Sequence, residues 1–161
     1  MNKMVGNIGI GCISDYEPQP IMVRSKLGLY AVCTIGVINN ARELEDELLS
    51  NGCASFETMS SGKINSSDLV GALIAQKSSF TEGIKYAQEK IVGTVSLLIL
   101  TKDCIIAARD NMGKLPILIG KRDDGYCLSF ESFAYHKLGY EYKDGKKELN
   151  EYKMYIMEKY L

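Results

Sequence analysis

Arg109-Asp110-Asn111-Met112-Gly113-Lys114-Leu115-Pro116-Ile117-Leu118-Ile119-Gly120 is the stretch on which the fold turns. An Arg–Asp pair able to bond locally, a glycine inside a turn and a proline that fixes a bend stand directly before a short apolar run. The chain reverses here and enters a strand. On the N-terminal side, Thr94 to Thr101 and Cys104 to Ala108 are apolar runs joined by Lys102-Asp103, which reads as a hairpin. On the C-terminal side, Asp123-Asp124-Gly125 turns the chain into Tyr126 to Phe130. A period of two therefore governs residues 94–130.

The first half mixes periods. Val5 to Ile13, with Gly6, Gly9 and Gly11 between its apolar residues, reads as a strand. Pro18 and Pro20 break the chain before Ile21-Met22-Val23, and Leu27 to Ile38 is a second strand region. Asn39-Asn40 offers a cap for a helix with Ala41, Leu44, Leu48 and Leu49 on one face, stopped by Gly52. Asn65 or Ser66 caps a helix carrying Leu69, Ala72 and Leu73 inward. Ser79-Phe80-Thr81-Glu82 has the spacing of a capping box for a third helix, to about Ile91. Ser132 to Leu138 reads as a short helix stopped by Gly139, and Lys147 to Tyr160 as a last helix on Leu149, Tyr152, Ile156 and Tyr160. Strand, three helices and then an antiparallel meander imply an α+β layered fold rather than a doubly wound parallel sheet.

A length of 161 residues is that of one domain, 1–161, with no linker or repeat. Nineteen Lys and Arg balance twenty Asp and Glu, for a net charge of −1. That balance removes the electrostatic reason to expect nucleic acid as a partner. No apolar run reaches the roughly 18–20 residues that cross a bilayer, so no membrane partner is expected. The N-terminus lacks the apolar core of a signal peptide, and a cytoplasmic location follows as an expectation. Five cysteines (Cys12, Cys33, Cys53, Cys104, Cys127) form no CxxC pair. An odd count of this kind reads as free thiols, with no metal site and no cofactor expected.

The Arg109–Gly120 run resembles the "RDPxGxRPLxxG" hairpin of the glutaminase domain of class II glutamine amidotransferases, most closely the amidophosphoribosyltransferases of purine synthesis. Phe130-Glu131-Ser132-Phe133-Ala134 is similar to that family's "SES-x-A". Gly36-Val37-Ile38-Asn39-Asn40-Ala41-Arg42-Glu43-Leu44 is similar to "NGNLxNxxxL". Phe56-Glu57-Thr58 with Leu73-Ile74 resembles "FxTxSDTEVxxxLI", and Ile91 to Leu97 resembles "LxGAYxL". The segments follow the family's order over about residues 9–145. The resemblance implies an Ntn-hydrolase-like α+β fold, with layered antiparallel sheets and flanking helices.

It also implies a chemistry. In the family an N-terminal Cys attacks the glutamine amide with its own amine as base. An Asn and a Gly N–H stabilise the oxyanion, and an Arg and an Asp grip the amino-acid carboxylate and amine. Against that pattern the chain begins with Met1-Asn2, near the family's "GHxRYxT" strand, so about 60–70 residues of a usual domain, with two strands and the nucleophile, are expected to be absent. Matching the segments puts Cys12 at the gripping Arg and Ile35 at the oxyanion Asn, while Gly36 survives. Ser66 falls at the amine-binding Asp and Asp68 at the following Glu, and a shift of two residues would give Asp68 the Asp role. Arg109, Asp110, Gly113, Pro116, Glu131 and Ser132 remain as structural motif. The expected catalytic set is therefore none.

Each candidate has an ordinary alternative. Cys12 reads as a buried apolar thiol rather than a repurposed nucleophile, and His136, the single histidine, as a surface or packing residue. The loop Ser60 to Ser67 has donors for an anion at a helix N-terminus but no GxxxxGK[ST], so it reads as solvated. The late tyrosines suit a docking face or the packing of a terminal helix. The function expected is a non-catalytic amidotransferase-like module, a pseudoenzyme, that binds or regulates. The second reading is a fragment that hydrolyses glutamine for purine synthesis when its N-terminal segment is supplied. Partners expected are a second copy, that complementing fragment, or a small molecule the sequence does not identify.

Overall fold

Alternation along β2 (Gly28–Ile38) sends Tyr30 and Val32 to one face of a sheet and Cys33 to the other. The computed structural model describes residues 6–52, 56, 62–110, 112–142 and 154–158. β2 sits between β1 (Ile21–Ser25) and β3 (Gly93–Leu100) in an antiparallel five-stranded sheet of order β1-β2-β3-β4-β8, with β4 spanning Cys104–Ala108 and β8 Met154–Glu158. A second sheet has the order β6-β5-β7, from β5 (Leu118–Arg122), β6 (Gly125–Ser129) and β7 (Glu141–Tyr142).

Three helices cover one face of the large sheet. These are α1 (Ala41–Ser50), α2 (Ser66–Ala75) and α3 (Phe80–Lys90), which bury Leu44, Leu48, Leu69, Leu73 and Ile84 against Val32, Val95, Leu97, Ile99 and Ile106. On the other face Cys33, Leu98 and Ala107 pack with Ile117, Ile119, Leu128 and Phe130, joining the two sheets. α4 (Phe133–Leu138) follows the small sheet and ends at Gly139, whose φ of 71° is the left-handed stop expected there. The architecture is the expected α+β one, layered antiparallel sheets with flanking helices.

The helix starts differ in how they are capped. Asn65 accepts from the Ser67 and Asp68 amides, and Ser79 from the Glu82 amide. Asn40 stands at the α1 N-cap but makes no cap bond. Its amide instead donates to the Lys90 carbonyl and accepts from the Val92 amide, both at 2.9 Å, tying α1 to the α3–β3 connection.

Two expectations fail. Residues 6–13 form no strand; spaced by Gly6, Gly9 and Gly11, they carry few side chains to repay ordering, and Ile10 alone is partly buried against the inter-sheet cluster. The expected last helix is also replaced where it is described: residues 154–158 form β8, with Ile156 opposite Ile106 of β4. Residues spaced by four share a face in a strand as well as in a helix, and pairing the free backbone edge of β4 decides between them. Residues 143–153 and 159–161 lie outside the described set.

Candidate functional site

The start of α2 faces the segment that enters β1. Ser66 donates to Glu17 twice, its amide to Oε2 at 3.0 Å and its hydroxyl to Oε1 at 2.9 Å. Asn65 spends its carbonyl on the cap and its Nδ2 on the Pro18 carbonyl at 2.9 Å. Gln19 Oε1 accepts the Thr34 amide at 2.8 Å, and the Thr34 hydroxyl lies 2.8 Å from that of Ser67. A helix N-terminus attracts anions through its free amides and dipole. Here the anion is the chain's own Glu17 carboxylate, so the donors expected in the Ser60–Ser67 loop are not simply solvated where they are described. Asp68 lies on the first turn of α2, half-buried, its amide on Asn65. Ser66 meets the incoming segment.

Ile35 and Gly36 follow Thr34 on β2. Ile35, opposite Ser96, is 37% exposed. Gly36 has φ of +140°, and a Cβ there would stand 1.8 Å from the Thr94 carbonyl oxygen. Cys12 is exposed, its thiol 3.6 Å from the Ile13 carbonyl, so the expectation of a buried thiol fails there: it sits on an entering segment that forms no strand, whereas Cys33 is buried in β2. Burial first, and the neighbouring Cys12 second, push the Cys33 thiol up to about 12.

The decisive run is not a hairpin between paired strands: it carries the chain from β4 of the large sheet to β5 of the small one through a turn tied to its own backbone and to Ser96. Asp110, 2% exposed, accepts the amides of Met112 and Lys114 at 3.1 Å each and of Leu115 at 2.8 Å, and its own amide donates to Ser96 Oγ. Arg109 Nε donates to the Leu115 carbonyl at 2.9 Å and its Nη2 to that of Gly113. The expectation of a local Arg–Asp pair misses this: the bonds described for both side chains run to the turn backbone. Gly113, at φ 63°, donates to the Asp110 carbonyl, and half-buried Pro116 leads into buried Ile117. Glu131 is exposed and Ser132 opens α4 without a side-chain cap. Arg109, Asp110 and Gly113 hold the turn between the two sheets.

Other candidates resolve into packing. Tyr135 is buried with its hydroxyl 2.8 Å from the Leu118 carbonyl and 3.1 Å from that of Cys127, flanked by the Tyr140 and Tyr142 rings. His136 falls on α4, and its side chain is outside the described set, as are Cys53 and Asn111. Among the described residues no cluster of three or more His, Cys, Asp or Glu could hold a metal ion, and no helix is long and apolar enough to cross a membrane. The structure thus brings Ser66 and Thr34, the residue before Ile35, to the incoming segment, on which Cys12 lies exposed. It keeps Glu131 and Ser132 with α4 and the small sheet. Sequence reading missed Glu17, Gln19 and Cys33 at this place. Only the Gln-Pro step before β1 hinted at an ordered entry.

Comparison with known proteins follows from this geometry. A family profile described as "Glutamine amidotransferase domain" matches residues 8–135. The chain is 32% identical over 124 residues to the amidophosphoribosyltransferase of Archaeoglobus fulgidus, covering 77% of this chain and 27% of that protein. It is 31% identical over 150 residues to the amidophosphoribosyltransferase of Methanocaldococcus jannaschii, covering 88% and 31%. Glutamine phosphoribosylpyrophosphate amidotransferase from B. subtilis, solved with ADP and GMP, superposes with a TM-score of 0.74 at 27% identity, over 88% of this chain and 30% of that one. The chain spans less than a third of the length of these relatives.

Proposed function

The chain belongs to the glutamine amidotransferase domain family, and from that premise we propose that it is a non-catalytic member, a binding or regulatory module related to the amidophosphoribosyltransferases. One observation carries the reading: the position matched to the grip for the glutamine amine is spent on the chain's own carboxylate. The Ser66 amide and hydroxyl hold Glu17. Beside them the Thr34 amide holds Gln19.

The physical reason is one of charge and donors. A free amino acid needs a cation for its carboxylate, and a cysteine side chain at position 12 supplies none. A developing oxyanion needs preorganised donors, each worth about 3–4 kcal/mol of barrier, and the Ile35 side chain has no N–H or O–H to offer. An amine needs an acceptor, whereas Ser66 spends its amide and hydroxyl donating to Glu17.

The experiment is a glutaminase assay on the purified chain, with ammonia read against a heat-denatured control. The expected result is ammonia release at the control rate. Turnover that saturates with glutamine overturns the reading.

A further inference from the structure

The large sheet does not end flush. Ala31 is the first β2 residue with a partner on β3, Leu100, so Gly28, Leu29 and Tyr30 run on beside the β3–β4 turn with no strand of the described residues alongside. A cavity of about 530 Å³ occupies this notch. Met22 stands opposite Ala31, Ala31 opposite Leu100, and Arg24 opposite Leu29, so these five side chains share one face of the sheet. The contacts that join the two sheets use the next row inward, Cys33, Leu98 and Ala107. Met22 and Leu29 are left 60% and 52% exposed. Leu27 and Phe80, which pack on the helix-side cluster, line the same cavity.

We propose that this notch binds a single-chain aliphatic carboxylate, with the chain in the cavity and the head at its rim. The volume is that of a small-molecule site, and apolar walls are what such sites use to bury the body of a ligand. An alkyl chain laid over Met22 and Leu29 removes apolar surface on both sides from water. Charge selects the head. On β1 and the two turns that frame the notch, three charged residues are cations, Arg24, Lys26 and Lys102. The one acid there, Asp103, lies 3.7 Å from Lys102. This is a local positive excess in a chain of net charge −1. Lys26 uses its ammonium on the Gln76 carbonyl at 3.0 Å. Arg24 is exposed on the face of Leu29, and its guanidinium fork matches a carboxylate.

The occupant is the free acid in solution, since a notch framed by two turns admits one chain and not a lipid surface. It lies at the Gly28 end of β2, with Ile35 and Gly36 toward the other end. The site therefore stands whether or not glutamine binds.

The test is titration calorimetry of the 161-residue chain with dodecanoate below its micelle concentration, beside decanoate and the neutral analogue dodecanol. Wild type is expected to bind dodecanoate saturably at one site, with affinity rising about fourfold per methylene from decanoate. The acid is expected to bind about tenfold tighter than the alcohol, through the charge-assisted bonds to its head. Leu29→Asp, at an exposed position, is expected to abolish binding with the folded spectrum unchanged. Arg24→Gln is expected to bring dodecanoate down to the affinity of dodecanol. No saturable heat, equal affinity for acid and alcohol in wild type, or unchanged dodecanoate affinity in Leu29→Asp would each overturn the proposal. So would a wild-type dimer in sedimentation that Leu29→Asp breaks into monomers, because a second copy then fills the notch.

Discussion

Gly36 and Gly93 face each other's strands with φ of +140° and +146°, and a Cβ on either would meet a carbonyl oxygen across the pair, Thr94 at 1.8 Å or Val37 at 2.0 Å. Gly36 is thus required by the sheet whether or not its amide once served an oxyanion. Gly36→Ala is expected to destabilise the chain by about 3 kcal/mol, from the φ strain and the clash together. Equilibrium urea unfolding measures it, and a loss within error of zero contradicts the account. Asp110→Ala strands three turn amides and is expected to lose about 2–3 kcal/mol on the same measurement. Cys33 adds a pH signature. In the unfolded chain its thiol ionises near the ordinary 9.0, while in the fold it stays protonated to about 12. The unfolded state therefore sheds the proton first: the contribution is whole below 9.0 and is lost as pH climbs through that interval. Tyr30 and Tyr135, also raised by burial, add to the same alkaline loss, so the diagnostic is the difference. Cys33→Ala should show a shallower decline of stability between pH 9 and 12 than wild type.

At the scale of elements, capping and spacing carried the sequence reading far. The helices at 41–50, 66–75 and 80–90 follow from apolar residues three and four apart, and two of their three starts from the caps at Asn65 and Ser79. Asn65→Ala is expected to cost about 1–2 kcal/mol, because both the cap and the bond to the Pro18 carbonyl go. Loss of helicity and of denaturation midpoint together would check it; an unchanged midpoint would contradict it. The β3–β4 hairpin and the 109–120 turn were equally legible, since their signals are local. What stayed hidden was decided by distant partners. β8 exists because β4 has an edge to fill, and residues spaced by four cannot announce which period they serve. Glu17 and Ser66 meet across 49 residues, Gln19 and Thr34 across 15, and no spacing rule registers such pairs.

At the scale of the whole molecule, the scaffold is the family's. Helices on one face of the large sheet and a second sheet on the other reproduce the architecture of the family, with the turn at 109–116 locking the strand edge. The fold was readable from that turn because its residues answer to their own backbone. The site was readable only as a set of departures, Cys12, Ile35 and Ser66; what those departures do instead needed the folded chain. On the reading proposed above, Ser66 serves the protein's own Glu17 and free glutamine is no longer received. Titration calorimetry of glutamine into the reduced chain tests this most directly. The account predicts no saturable heat up to millimolar ligand, on the order of the weakest specific affinities; stoichiometric, saturable binding of glutamine would contradict it.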